Sequence, residues 1–373
     1  VSKLKDLGTY GQSVWLDSIG RGLIRNGELA RLVQEDGVSG VTSNPSIFEK
    51  AIGGGGGEYA DAIRELAPTS PSAEALYEEL AVRDIQDAAD VLRPVYDATD
   101  GRDGFVSLEV SPELARDGDG TLAAARRLWK TVGRENAMIK VPATPEGIGT
   151  LEALFAEGIN VNVTLLFSVD AYERVARAYL AGLARRAGRG EPTGRVASVA
   201  SFFVSRVDSA VDAELEAKIA TAVPAAAEGL RSLLGRTAIA NAKLAYARFE
   251  EIFSGPEWKA LEEKGGRRQR VLWASTGTKN PAYRDVVYVE EMIGPDTVST
   301  MPPATLDAFR DHGRARPSLT AGVEEARASL DQLNRAGFSL PDVTDRLLEE
   351  GLALFLAAYR KLLRTVEDAR RSK

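Results

Sequence analysis

Lys140 stands between Ile139 and Val141, a lone cation in a run that otherwise has the composition of a buried strand. Burial penalises the ammonium form of a lysine, and a neutral amine can add to a carbonyl and form an imine. Two acids hold comparable positions: Asp17 follows Val14–Trp15–Leu16, and Glu109 follows Val106–Ser107–Leu108. Carboxyl groups so placed can relay the protons of imine chemistry, directly or through a water held by Thr164. If ionised, they also favour the ammonium, and desolvation with carboxyl protonation has to outweigh that pull. Neutral hydrogen-bonding residues recur in the same setting: Thr42 and Asn44, then Asn160, Asn162 and Thr164 around Val161 and Val163, then Ser201. Such groups suit sugar hydroxyls, so the set reads as an imine-forming lyase or transferase acting on a polyol carbonyl. A buried ion pair or satisfied polar plug is the structural alternative.

A phosphate handle is offered by Arg206, next to Ser205 at the start of a helical stretch near Asp208, because a guanidinium beside a helix N-terminus is a ready anion site. Lys279, in Ser275–Thr276–Gly277–Thr278–Lys279–Asn280, supplies a second positive charge. Arg267, Arg268 and Arg270 precede their strand and are expected as solvated surface at the opposite end. His312 falls at a helix C-terminus, where an imidazolium is favoured as a cap, and receives no catalytic part. With Cys 0 and His 1 in 373 residues, disulfides, thiol chemistry and a His-rich metal site are excluded. A net charge of −7 argues against nucleic acid as partner. No apolar run approaches the ~18–20 residues of a membrane span, and the first residues do not read as a leader, so no membrane role and a cytoplasmic setting are expected. The glycine run Gly53–Gly57 lacks a following Lys-Ser/Thr and reads as a surface loop.

These residues need elements to hold them. Strand-like runs occur at Ser13–Asp17, Gly40–Asn44, Phe105–Val110, Ala137–Val141, Ile159–Leu166, Val196–Val204, Val271–Ser275 and Thr297–Met301. Helical patterns separate them, among them Gly22–Asp36, Ala73–Leu92, Thr121–Thr131, Val169–Arg186 and Asp208–Ala222. Alternation of this kind implies parallel pairing, and about eight units imply a closed (β/α)8 TIM barrel. An open doubly wound sheet is the alternative, though no Gly-rich dinucleotide fingerprint follows any strand. Period-two geometry sends the polar set of each strand to one side, inside the barrel near its C-terminal mouth. A single domain over 1–373 is expected, with a helical insertion at about 208–270 and an amphipathic C-terminal helix at about 343–371 laid on the barrel.

Gly40–Val41–Thr42–Ser43–Asn44–Pro45–Ser46 resembles the signature of transaldolases, and Ile139–Lys140–Val141–Pro142–Ala143–Thr144 resembles their Schiff-base segment. Trp15–Leu16–Asp17, Leu108–Glu109–Val110, Gly158–Phe167, Ser201–Arg206 and the Gly351–Leu363 helix extend the likeness over essentially the whole chain, and its length matches a longer subclass. The resemblance implies a class I aldolase-type barrel of the pentose phosphate pathway. It would move a dihydroxyacetone unit from sedoheptulose 7-phosphate or fructose 6-phosphate to an aldose phosphate, as monomer or homodimer and without cofactor. It gives Lys140 the imine, Asp17 the C4 hydroxyl proton, and Glu109 with Thr164 a catalytic water. Thr42, Asn44, Asn162, Ser201, Phe203, Arg206, Ser275 and Lys279 would bind substrate. Many relatives carry Ser-x-Arg after the seventh strand, whereas here Ser275 is followed by Thr276 and Gly277, and Lys279 comes two positions late. Fructose-6-phosphate aldolases of the same fold tend to carry Gln at the Glu109 position and Tyr at the Phe203 position, so this chain favours transfer. A non-catalytic sugar-phosphate-binding barrel is the competing reading.

Overall fold

The computed structural model describes residues 2–54 and 57–371. The glycine run expected as a loop therefore lies partly outside the described residues, at Gly55 and Gly56. Eight strands, β1 Gln12–Leu16, β2 Val38–Val41, β3 Phe105–Glu109, β4 Ala137–Pro142, β5 Val161–Leu166, β6 Ser198–Phe203, β7 Arg270–Ala274 and β8 Thr297–Met301, pair in sequence order. All pairs are parallel, and β8 closes on β1 with Gln12 opposite Thr297 and Leu16 opposite Met301. This is a (β/α)8 barrel.

Hydrogen bonds between side chains of non-adjacent strands identify the inward face. Arg270 of β7 reaches Ser13 of β1, and Asn162 of β5 reaches Ser107 of β3. The inward residues thus include Trp15, Phe105, Ser107, Lys140, Asn162, Ser201 and Arg270, while Val14, Leu16, Val106, Leu108, Ile139 and Val141 belong to the apolar outer set that the helices cover. At Gly40 the interior has no room for a side chain, since a Cβ there would fall 2.4 Å from the Trp15 ring.

The N-terminal base of the barrel corrects one expectation. Arg270 is not solvated but 6% exposed, and its guanidinium meets Asp103 at 2.9 Å, Ser13 at 2.7 Å and the Arg102 carbonyl at 2.8 Å. Asp103 also accepts from Ser13 Oγ and Trp15 Nε1. Arg267 and Arg268 do lie outside, paired with Asp100 and Asp296. The charged plug thus seals the end away from the mouth.

One helical and one strand expectation also change. The stretch Gly22–Asp36 is broken at Gly27, whose φ of 81° ends Arg21–Arg25 before Glu28–Arg31 and a π turn over Leu32–Asp36 begin. Strand β2 ends at Val41, because Asn44 caps the helix Pro45–Gly53 rather than extending the strand. Between β6 and β7 lie Ser205–Ile219, Pro224–Arg231, Thr237–Ile252 and Pro256–Glu262. The chain continues to a helix over Leu340–Arg371, about 48 Å long at ~1.5 Å per residue. Its buried stripe, Val343, Leu347, Gly351, Phe355, Tyr359, Leu362 and Val366, recurs at helical spacing and packs on Pro45–Gly53, Ala73–Ala98 and Ser205–Ile219, across the mouth.

Asp103→Ala leaves the Arg270 charge buried without a carboxylate, and is expected to cost about 3–5 kcal/mol of stability, read from urea midpoints. A loss below about 1 kcal/mol would show that the base does not depend on this pair.

Candidate active site

At the C-terminal end of the strands a cavity of about 610 Å³ opens, lined by Asp17, Thr42, Asn44, Lys140, Thr164, Ser201, Phe203, Arg206, Ser275 and Lys279 among others. Ten of the twelve residues expected at the site therefore face one space, drawn from six strands and the loops after them.

Each residue of the segment Thr42–Pro45 has work to do. Thr42 Oγ1 donates to Asp17 Oδ1 at 2.6 Å and lies 2.7 Å from Thr300 Oγ1. A hydroxyl carries one proton, so Thr300 is the donor to Thr42, and the chain Thr300–Thr42–Asp17 fixes the carboxylate in orientation. The Ser43 carbonyl accepts from Lys140 Nζ at 2.9 Å, while its hydroxyl donates to the Ser107 carbonyl at 2.6 Å. Asn44 Oδ1 accepts the Ile47 N–H, and Pro45 occupies the first helical position, where no N–H is needed. The helix start thereby sets where the Ser43 carbonyl points. After β4 the same device recurs: Thr144 caps Pro145–Ala156 by accepting from Gly147 N–H at 2.9 Å.

Lys140 is 4% exposed, with Glu109 Oε2 3.5 Å from its Nζ and the Phe355 ring centroid 5.8 Å away. Glu109 does not line the main cavity. It stands behind Lys140 and opens on a smaller cavity of about 140 Å³ that also reaches Tyr77, Ser111 and Tyr359. Burial pushes the Glu109 carboxyl up to about 7, opposed by the Lys140 charge and reinforced by Asp17. Glu109 Oε2 and Thr164 Oγ1 are buried without a hydrogen-bond partner among the described residues. Near Thr164 the backbone is irregular: Leu165 has φ 60°, and the β5–β6 register shifts between Val163 and Leu166.

Asn162 also departs from expectation. It is absent from the cavity wall, because its amide is spent one layer lower, donating to Ser107 Oγ at 3.0 Å and accepting from Ser201 Oγ at 2.6 Å. Ser201, which does face the cavity, is held by that bond.

Arg206 lies at the lip, half-buried, over the Phe203 ring at 5.5 Å, and has no hydrogen bond or ion pair among the described residues. Burial lowers its pKa, opposed by Glu350 and Asp17. Lys279 is exposed nearby, and Ser275, in the left-handed region at φ 56°, sets its hydroxyl 3.0 Å from Ser205 Oγ. His312 stays outside the cavity wall, its ring paired with Asp285 at 2.8 Å. Among the described residues no cluster of three or more His, Asp or Glu could hold a metal ion.

Four further residues take part on the cavity side, three of them without a signal in the sequence. Ser43 contributes a backbone carbonyl, which residue type does not announce. Thr300 lies inside an unremarkable strand, and Phe355 is one of many apolar residues on its helix. Lys50 had a signal: Ile47, Lys50 and Ala51 follow Asn44 at helical spacing, and all three line the cavity.

In the unfolded chain Glu109 loses its proton near 4.5, whereas in the fold it keeps it to about 7. Across that window the folded state binds the extra proton, so stability falls as pH rises through it. Glu109→Gln should flatten the fall in urea midpoint between pH 4.5 and 8; an unchanged slope would show that the carboxyl is not held high.

A family model described as Transaldolase/Fructose-6-phosphate aldolase matches residues 14–366. The chain is 49% identical over 359 residues to a transaldolase of Thiobacillus denitrificans, covering 96% of this chain and 98% of that protein. It is 50% identical over 363 residues to a transaldolase of Thermobifida fusca, covering 97% and 96%. With one of Trichodesmium erythraeum it shares 43% identity over 368 residues, covering 98% and 97%. With a family match over residues 14–366 and such identity over nearly the full length, the chain belongs to the transaldolase/fructose-6-phosphate aldolase family.

Proposed function

We propose that this chain is a transaldolase acting through an imine on Lys140, moving a dihydroxyacetone unit from a ketose phosphate to an aldose phosphate. The observation that carries the reading is a buried amine with a carboxyl behind it, at 3.5 Å and pushed up to about 7, and a second carboxylate facing the same cavity. A general acid–base group poised near neutrality can give and take protons at working pH.

In this reading the Lys140 amine adds to the ketose C2 carbonyl. Glu109, with a water held against Thr164, delivers the proton on which the carbinolamine oxygen leaves as water. Asp17 then takes the C4 hydroxyl proton as the C3–C4 bond breaks, the aldose departs, and the electron pair is held by the protonated imine as an enamine. The next aldose carbonyl is attacked by the enamine carbon, Asp17 returns the proton, and hydrolysis frees Lys140. Thr42 orients Asp17, Asn44 and Ser201 meet hydroxyls of the three-carbon unit, Phe203 floors Arg206, and Ser275 shapes the phosphate end. Arg206 is the bidentate phosphate ligand and Lys279 a point charge beside it. Asn162 acts through Ser201, which it holds. No described helix is long and apolar enough to cross a membrane; a cytoplasmic monomer or homodimer completes the proposal.

Borohydride reduction with fructose 6-phosphate should leave a three-carbon adduct mapping to Lys140, and Lys140→Ala should abolish transfer with the melting temperature retained. No adduct would sink the imine and leave a sugar-phosphate-binding barrel, and an adduct on another lysine would take the imine away from Lys140. The family's other activity, aldol release, is distinguished by acceptor dependence: turnover of fructose 6-phosphate should need an added aldose, and brisk release without one would replace transfer by lyase chemistry. Arg206→Ala should raise KM for phosphorylated substrates about 10- to 100-fold, as expected for a charge-assisted pair of bonds. An unchanged KM would remove Arg206 from the site.

A further inference from the structure

Asp208 and Asp212 lie four residues apart on one face of the helix that carries Arg206, 1% and 5% exposed, and neither has an ion-pair partner among the described residues. Buried carboxyls without a cation are costly unless hydrogen bonds satisfy them. Each here receives two, from two different segments. Asp208 accepts from the Ala238 N–H at 2.7 Å and the Tyr288 hydroxyl at 2.9 Å. Asp212 accepts from the Gly235 N–H at 3.0 Å and the Tyr283 hydroxyl at 2.8 Å. The N–H donors come from the stretch between β6 and β7, Ala238 from the first turn of Thr237–Ile252 and Gly235 from the turn just before it, whereas both tyrosines belong to the β7–β8 connection that bears Lys279. Gly235, at φ 68°, is the residue that admits the tyrosine ring, since a Cβ there would lie 2.7 Å from Tyr283 Cζ.

The near end of that connection is tied to the same helix. Ser205 N–H donates to the Ser275 carbonyl at 3.2 Å, and the two hydroxyls meet at 3.0 Å. Lys279 sits between this tie and the tyrosine ties, exposed and without a hydrogen bond or ion pair of its own among the described residues. Its place is therefore set by the backbone of the loop. Thr278 Oγ1, donating to the Arg284 carbonyl at 2.9 Å, closes the loop on itself.

We propose that Asp208–Tyr288 and Asp212–Tyr283 form a clamp that holds the Lys279 loop against the Arg206 helix, making these four side chains positioning residues for the substrate phosphate. The helices between β6 and β7 supply the backbone donors that fix the carboxyls, which gives that stretch a part in substrate recognition. The inference rests on reading Arg206 and Lys279 as phosphate ligands.

The test compares an aldose phosphate acceptor with the same aldose lacking its phosphate, in Tyr283→Phe, Tyr288→Phe and the double variant. KM for the phosphorylated acceptor should rise about tenfold in the double variant, with kcat and the KM of the unphosphorylated acceptor within about twofold. Lys279→Ala added to the double variant should cause little further loss, since the clamp acts through it. Equal losses with both acceptors, or no loss with either, would overturn the clamp. Tyr283 is only half-buried, so Tyr283→Phe alone keeps the comparison available if the double variant does not fold. An Arg206→Ala arm separates the failures: if it spares the preference for the phosphorylated acceptor, the phosphate reading itself falls. If Arg206→Ala removes that preference and the tyrosine variants keep it, only the clamp is lost.

Discussion

Removing an amine and a carboxyl from water together, inside a barrel, is expensive unless each finds compensating partners. Lys140 and Glu109 meet that condition narrowly. The amine has the Ser43 carbonyl and one carboxylate oxygen, and Glu109 keeps its proton to about 7 because burial outweighs the attraction of Lys140. Much of the surrounding architecture maintains this unstable pair. The cap at Asn44 aims the Ser43 carbonyl, the C-terminal helix lays Phe355 over the amine, and Gly351 lets that helix approach Leu165, where a Cβ would come within 3.0 Å.

The lumen is layered by charge. Arg270 and Asp103 close the base, Ser107, Asn162 and Ser201 form a neutral hydrogen-bonded ladder above them, and Lys140 with Asp17 occupies the top. The base pair is fully partnered, whereas Arg206 at the lip has no hydrogen bond or ion pair among the described residues. That contrast separates charges serving stability from charges left available for a ligand.

The inward polar set is legible because polar residues late in the strands alternate with apolar ones: Ser107 and Glu109 about Leu108, Lys140 between Ile139 and Val141, Asn162 and Thr164 about Val163. Lys140 was legible for the same reason, being a cation in a buried run. Boundaries are less legible: Asn44 continues the strand pattern in the sequence, and only its capping bond to Ile47 N–H assigns it to the next helix. The solvated position expected for Arg270 fails because it is the first residue of β7, and residue order does not reveal that its side chain points inward. Residue type does not show depth either: the Asn162 amide lies on the inner face and is hydrogen-bonded to Ser107 and Ser201. Backbone donors and acceptors such as the Ser43 carbonyl leave no trace in residue type.

The sealed base has a kinetic corollary. With Trp15, Phe105, Met138 and Leu272 filling the lumen and Arg270 locked to Asp103, the tube is a cul-de-sac with a single doorway. For the proposed two-sugar transfer, the fragment released first and the sugar arriving next must pass through that doorway in turn and use the same anchoring charges. The two therefore take turns in the chamber, and in the interval the three-carbon cargo stays behind on its covalent tether, with Asn44 and Ser201 beside it.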